Sequence, residues 1–298
     1  LSVEISVIVV TMGSSRLLPR CVAAIAAGAL RPREIVLVDQ GAGDDLREVE
    51  EALAGSGIGL VHVPIERSGV SKARNLGVAA ASGDHLAFTD DDCVPDRDWL
   101  AALVAGMESG PVLAATGRVL PLDEGRPGLV AVSLRTDRRE RTFAGGGRHA
   151  PWEVGTGGNL LIERRTFEAI GGFNLEFGPG ARFRAAEDIE LLERVIAHGA
   201  SIRYTPGAIV YHELKRPTER LARGIPYGFG MGALIARQPP GVRGKTARRY
   251  LWLQTHDIGT ALLRLRPKRA AEAVLMLTGA TAGRISGRSR RGLMRRRA

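Results

Sequence analysis

Cysteine is scarce in this chain, with only Cys21 and Cys93 among 298 residues. That excludes a disulfide framework and suits a reduced, cytoplasmic setting. The first residues run into an apolar β-branched segment, Ile5–Val10, without a charged leader and cleavage site, so no signal peptide is expected. The longest apolar stretch near the C-terminus, Ala270–Ala282, is too short to span a bilayer and contains Glu272 and Gly279. Contact with a membrane is therefore expected from one side only. Two nucleotide signatures are also missing: Met12-Gly13-Ser14-Ser15 stands where a dinucleotide fingerprint would follow the first strand, and no glycine-rich run carries a P-loop lysine.

Acidic residues are sparse in one region. Residues 241–298 hold 15 of the 42 Lys and Arg but only two acids, Asp257 and Glu272, which leaves 27 basic against 30 acidic residues in the first 240. The body is slightly acidic and the high isoelectric point belongs to the tail. A specific reader of nucleic acid would carry its basic stripe on the folded body, so no specific nucleic acid is expected as a partner. The tail suits an anionic surface, membrane lipid or a nucleic acid held without specificity, or else serves as a solubilising end.

The first third alternates β-branched runs with helical segments, the pattern of a parallel sheet covered by helices. Strands are expected at Ile5–Val10, Glu34–Asp39, Leu60–Pro64 and His85–Thr89, and helices at Leu17–Ala27, Asp44–Ala54 and Ser71–Ala81. In such sheets ligands sit beyond the carboxyl ends of the strands, here Thr11, Asp39 and Asp90. A further strand is expected at Pro111–Leu120, and Asp123–Ala150, rich in Gly, Arg and Pro, reads as a mobile excursion over the site. Gly158–Glu163 reads as a strand, Arg165–Ile170 and Ala186–His198 as helices, and Ser201–Tyr204 and Ala208–Tyr211 as two short strands. From Arg216 onward the pattern is helical, interrupted by Gly224, Gly228, Gly230 and Gly232.

Four features carry chemistry. The triplet Asp90-Asp91-Asp92 ends an apolar strand, where adjacent carboxylates repel each other and gain nothing from packing. A divalent cation, Mg²⁺ or Mn²⁺, would compensate them, and a solvated turn is the plainer reading. Glu187-Asp188 stands at the first turn of a helix, facing the positive end of its dipole, which suits either a proton acceptor or a simple cap. His212 follows a strand and can complete a cation site, although a lone histidine is more often filler. The run Gly155-Thr156-Gly157-Gly158-Asn159, close after Trp152, lets backbone approach a diphosphate or sugar closely, or forms an ordinary turn.

Taken in order, these pieces resemble the family 2 glycosyltransferases of the GT-A fold, over roughly residues 4–214. The first-strand turn appears as Val10-Thr11-Met12-Gly13, and the second strand's acidic end as Val38-Asp39-Gln40-Gly41-Ala42. The Ala-Arg-Asn helix appears as Ala73-Arg74-Asn75-Leu76-Gly77, the Asp-x-Asp as Asp90 and Asp92, and the later segment as Gly171-Gly172-Phe173-Asn174. Glu187-Asp188 and His212 complete the series.

The resemblance implies an α/β GT-A fold: a Rossmann-like mixed sheet with helices on both faces. The implied catalytic domain is 1–215, with a nucleotide-binding half at 1–95 and an acceptor-binding half at 96–215, followed by a helical basic extension at 216–298. It implies an inverting hexosyl- or deoxyhexosyltransferase that moves sugar from a nucleotide-diphosphate donor to an acceptor hydroxyl on a glycan, lipid-linked or small molecule. Thr11, Asp39, Gln40, Arg74, Asp90 and Asp91 would contact the donor, and Asp92 and His212 would hold Mn²⁺ or Mg²⁺. Asp188 would be the base, and Trp152, Gly157, Gly158, Asn159 and Glu187 would border the sugars. Gln40 stands where relatives place the aspartate that receives the uracil N3–H, so UDP-, dTDP- and GDP-linked donors all stay open. Beyond about residue 215 the resemblance fades, and the basic extension is open to two readings: amphipathic helices attached peripherally to the inner face of the cell membrane, or packed helices with a frayed arginine-rich end. Two rival readings are a sugar-1-phosphate nucleotidyltransferase, whose signature loop Gly13-Ser14-Ser15-Arg16 matches poorly, and an inactive nucleotide-sugar-binding protein, against which Asp92 and Asp188 both speak.

Overall fold

The structure, a computed structural model, describes residues 3–13, 15–41, 46–108, 110–123 and 125–288. Ser14, Ala42 and the arginines 295–297 of the C-terminal basic cluster lie outside the described residues. The strands are β1 (Ile5–Thr11), β2 (Glu34–Asp39), β3 (Gly59–Pro64), β4 (His85–Asp90), β5 (Cys93–Pro95), β6 (Val112–Pro121), β7 (Arg141–Phe143), β8 (Leu160–Glu163) and β9 (Ser201–His212). They form one sheet in the order β3-β2-β1-β4-β8-β6-β9-β5, with β7 added alongside β9. The first four strands run parallel, and β8 pairs antiparallel with β4, which makes the sheet mixed.

The apolar runs of β1 and β2 are buried along nearly their whole length, as parallel strands covered on both faces must be. Side chains alternate between two layers. Ile5, Val7 and Val9 pack with α1 (Leu18–Ala26), α2 (Arg47–Leu53) and α4 (Trp99–Met107), whereas Ile8, Val36 and Val38 pack with α3 (Val70–Ala80), α5 (Arg164–Ala169) and α6 (Glu187–Ala197). Gly77 sets the approach of α3, since a Cβ there would meet Ile8 Cγ2 at 2.7 Å and Val38 Cγ2 at 2.9 Å.

Three expectations change. The two short strands expected before His212 are one strand, β9, because Thr205-Pro206-Gly207 is absorbed as a register shift against β6 between Gly117 and Arg118. The excursion at 123–150 is anchored: β7 pairs with β9, and Val119–Arg135 and Val130–Lys215 form bridges. The C-terminal glycines do not interrupt their helix. Gly224, Gly228 and Gly232 lie four residues apart on α7 (Pro217–Arg237) and face α9 (Pro267–Arg288). A Cβ at Gly228 would meet Met276 O at 2.0 Å, and one at Gly232 would meet Ala280 O at 2.0 Å. The glycines therefore let two helix backbones touch, with α8 (Pro240–Leu263) packed beside them.

Candidate active site

The carboxyl ends of β1, β2 and β4, the N-terminus of α6 and the end of β9 converge on a cavity of about 500 Å³. Gln40, Arg74, Asp90, Asp91, Asp92, Trp152, Gly158, Glu187, Asp188 and His212 line it. Motifs far apart in sequence are tied together here by direct bonds. Arg74 is buried, donates to Asp90 Oδ1 at 2.8 Å and Glu187 Oε1 at 3.3 Å, and lies over the Phe173 ring at 5.2 Å. Its neighbour Asn75 clamps Phe173 from the other side, exchanging two 2.8 Å bonds with the Phe173 backbone.

The glycine run explains itself by clearance. A Cβ at Gly158 would meet Asp90 Oδ2 at 2.5 Å, and one at Gly157 would meet Arg74 Nη1 at 2.8 Å and Asp188 Cβ at 3.0 Å. Side chains at these positions would force the acidic centre apart. Asp188 is half-buried and held by two backbone donors, Gly157 N to Oδ2 at 2.9 Å and Ile189 N to Oδ1 at 2.8 Å. The turn before it is strained, with Arg184 at φ 62° and Ala186 at φ 66° in the left-handed region that non-glycine residues avoid.

The acids separate by environment. Burial, with Asp188 and Asp90 adding to it and Arg74 opposing it, pushes Glu187 up to about 7. Burial likewise pushes Asp91 up to about 7, and Asp91 accepts a 2.7 Å bond from Thr11 Oγ1. Asp92 moves the other way: burial raises it, but His212, Lys215 and Arg223 together outweigh burial and hold it below its ordinary value.

Asp92 and His212 fit a hard cation. His212 Nδ1 lies 2.8 Å from the Glu213 carbonyl, an acceptor only, so Nδ1 carries a proton and Nε2 is the nitrogen turned to Asp92, 3.6 Å from Oδ1. The pair can bond directly through a proton on Nε2, or grip a cation between carboxylate oxygen and imidazole nitrogen, a donor set that suits Mn²⁺ or Mg²⁺. Cys93 stands beside them, but burial pushes its thiol well above its ordinary value, so the thiolate ligand form is disfavoured. Lys215 Nζ meets Asp92 Oδ2 at 2.8 Å and is the cation present at this point of the fold.

Several expected contacts are placed behind the cavity wall. Thr11 does not line the cavity but positions Asp91, and it accepts a 3.0 Å bond from Gly13 N. Asp39 is buried, accepts from Gly41 N at 2.7 Å, and leaves Oδ2 without a hydrogen bond among the described residues, with His62 Nε2 at 3.5 Å. Asn159 is fully engaged in the frame, accepting from Trp99 Nε1 at 2.9 Å and donating to Arg118 O and Ala208 O. Gln40 does line the cavity, and its orientation is fixed: Ser68 N and Gly69 N donate to Oε1 at 2.9 and 3.1 Å, so the amide NH₂ is the group left toward Met12.

Lys215 and Arg223 were not singled out by the sequence. Lys215 follows His212 by three residues, and a base so close behind a candidate ligand was the available signal. Arg223 sits in α7, where nothing in the helical pattern marks it.

The pattern that defines glycosyl transferase family 2 matches residues 6–170, and the chain belongs to that family. It is 28% identical over 264 residues to the pre-mycofactocin glycosyltransferase of Mycobacterium tuberculosis, across 84% of this chain and 52% of that protein, so it spans about half the length of that relative. It is 26% identical over 222 residues to the glucosyl-dolichyl phosphate glucuronosyltransferase of Haloferax volcanii, across 71% of this chain and 69% of that one. Among solved structures, the mannosyltransferase PcManGT of Pyrobaculum calidifontis, in complex with GDP-Man and Mn²⁺, superposes with TM-score 0.59 at 20% identity, across 95% of this chain and 76% of that one. S. aureus TarS superposes with TM-score 0.61 at 14% identity, across 85% of this chain and 43% of that one. The mixed sheet with helices on both faces is accordingly the GT-A fold.

Proposed function

We propose that the chain transfers a hexosyl or deoxyhexosyl group from a nucleotide-diphosphate donor to an acceptor hydroxyl with inversion, in a reaction assisted by a divalent cation. The observation that carries this reading is one cavity lined both by the Asp92–His212 pair and by Asp188. Asp92 and His212 would hold Mn²⁺ or Mg²⁺, which supplies charge neutralisation for the departing nucleoside diphosphate. Asp188 accepts the acceptor's hydroxyl proton as the oxygen bonds to the anomeric carbon, while the bond from that carbon to the diphosphate oxygen breaks with its electron pair leaving on the diphosphate. Arg74 orients Asp90 toward the donor, and Gln40 offers a hydrogen-bond donor to an acceptor atom on the base.

The GDP-Man and Mn²⁺ of PcManGT, and the UDP-GlcNAc in complex with S. aureus TarS residues 1–349, support a nucleotide-sugar donor here. Calorimetry with UDP, dTDP and GDP, each with and without Mn²⁺, tests the proposal: one nucleotide should bind at least about tenfold tighter with the ion. If none gains from it, the metal-assisted reading fails. Asp188→Asn should keep that nucleotide affinity and lower transfer by roughly 10²–10⁴-fold.

Among the described residues no helix is long and apolar enough to cross a membrane. On α8, Leu251 and Leu262, and likewise Trp252 and Leu263, recur three turns apart and are exposed, next to exposed Arg248, Arg264, Arg266 and Lys268. This combination supports peripheral attachment to an anionic membrane.

A further inference from the structure

The cavity that holds the acidic centre continues past Asp188 into the C-terminal helices. Ile189, the next residue, packs in one apolar cluster with Trp152, Met231, Tyr250 and Met276. The part of the cavity wall drawn from α8 and α9 is Tyr250, Leu253, Gln254 and Met276, with no charged side chain among them. Leu253 and Met276 offer only apolar contact here, and the polar groups of this stretch are the Tyr250 hydroxyl and the Gln254 amide. Tyr250 adds a second observation. It is 5% exposed, its ring meets Trp152 edge-on at 5.5 Å, and its hydroxyl is buried with no hydrogen-bond partner among the described residues. A buried hydroxyl of this kind normally has a partner.

We propose that this wall is the acceptor seat, and that the acceptor carries an apolar body beside its reacting hydroxyl. The hydroxyl reaches Asp188 while the body packs against Trp152, Leu253 and Met276, and a polar atom on it receives the Tyr250 hydroxyl. This inference rests on the transfer reaction proposed above, and it specifies which acceptors that reaction takes.

The test titrates methyl, hexyl and phenyl β-glucosides, which share their hydroxyls and differ in the attached body, into the full chain with and without Mn²⁺ and the best-binding nucleoside diphosphate. Hexyl and phenyl glucosides should bind at least about tenfold tighter than methyl glucoside. Leu253→Asp should remove that preference while nucleotide affinity stays within about twofold. Tyr250→Phe should weaken 4-hydroxyphenyl glucoside, whose ring carries an acceptor for the lost hydroxyl, by about fivefold and phenyl glucoside by less than about twofold. Met276→Gln, closer in size, decides the matter if Leu253→Asp also loses the nucleotide. Equal binding of the three glucosides, or an unchanged preference in these variants, overturns the acceptor seat. Because the glucosides are also titrated alone, absence of nucleotide binding counts against the donor site and leaves the acceptor seat to be judged on its own data.

Discussion

At Gly158 a single hydrogen in place of a methyl group decides whether Asp90 and Arg74 can meet. Gly158→Ala puts a Cβ 2.5 Å from Asp90 Oδ2, so the carboxylate must turn or shift, which disturbs the bond its Oδ1 accepts from Arg74. A displacement of this size should lower transfer by about 10²-fold in a donor-turnover assay, with little change in thermal midpoint. Glu187 makes a pH prediction. Its carboxyl holds its proton up to about 7 in the folded chain, against 4.5 for the free group, so between those values the folded state binds more protons than the unfolded one. Stability from this group is full below its unfolded value and is lost as pH rises through about 7. Thermal midpoints of the metal-free protein between about pH 5 and 8 should fall, and Glu187→Gln should flatten the fall; equal slopes would remove Glu187 as the source. That the triplet, Glu187, Asp188 and His212 line one cavity was legible in the sequence, because each stands at an element's end; Arg74, inside α3, was legible only through the family resemblance. The division of labour among them was not. That Thr11 and Asn159 serve the frame, and that Lys215 meets Asp92, depends on contacts between residues up to 123 positions apart.

At the scale of elements, periodicity located the strands well. It placed β2 at the residues observed, because a strand buried on both faces reads as an unbroken apolar run. It failed where tertiary contact overrides local signal. Pro206 and Gly207 suggest a break in β9, yet the neighbouring β6 supports the strand across the shift. The glycines of α7 suggest interruption, yet they seat α9. Their packing also reaches the centre: a Cβ at Gly230 would meet Ala185 O at 2.5 Å, on the strained turn that presents Glu187 and Asp188. Gly232→Val should therefore destabilise by about 3 kcal/mol or more in urea unfolding, since the obstructing atom is backbone. Gly259→Ala on α8, where the new Cβ would meet nothing within 4 Å among the described residues outside its own helix backbone, should be neutral or stabilise by up to about 1 kcal/mol. Similar losses at both positions would show that α7–α9 contact is not what the glycines serve.

For the molecule as a whole, charge and exposed apolar surface coincide at one end. Cosedimentation with vesicles should show binding that increases with the fraction of anionic lipid, weakens with salt, and falls at least about fivefold in a Trp252→Ser, Leu263→Ser variant. Binding equal on neutral and anionic vesicles would remove the electrostatic part of this attachment. The chain beyond Arg216 was legible as basic and, as far as Arg288, as helical, but not as part of the site. Phe177, Phe183 and Ala186 of the preceding region share a cluster with Met231, Leu234 and Tyr250, and sequence periodicity carries no record of which distant face a helix covers.

Asp92 and His212 stand side by side because β5 and β9 pair there: Cys93 opposes His212, and Glu213 N donates to Asp92 O at 2.9 Å. The two proposed ligands are 120 residues apart in the sequence, and only His212 lies on the last strand, β9. While the polypeptide is being synthesised, its first half can lay down β1 to β4 and the acidic triplet, but the imidazole arrives only when β9 slots between β6 and β5. A molecule that presents Asp92 and His212 together is thus one whose sheet has already closed.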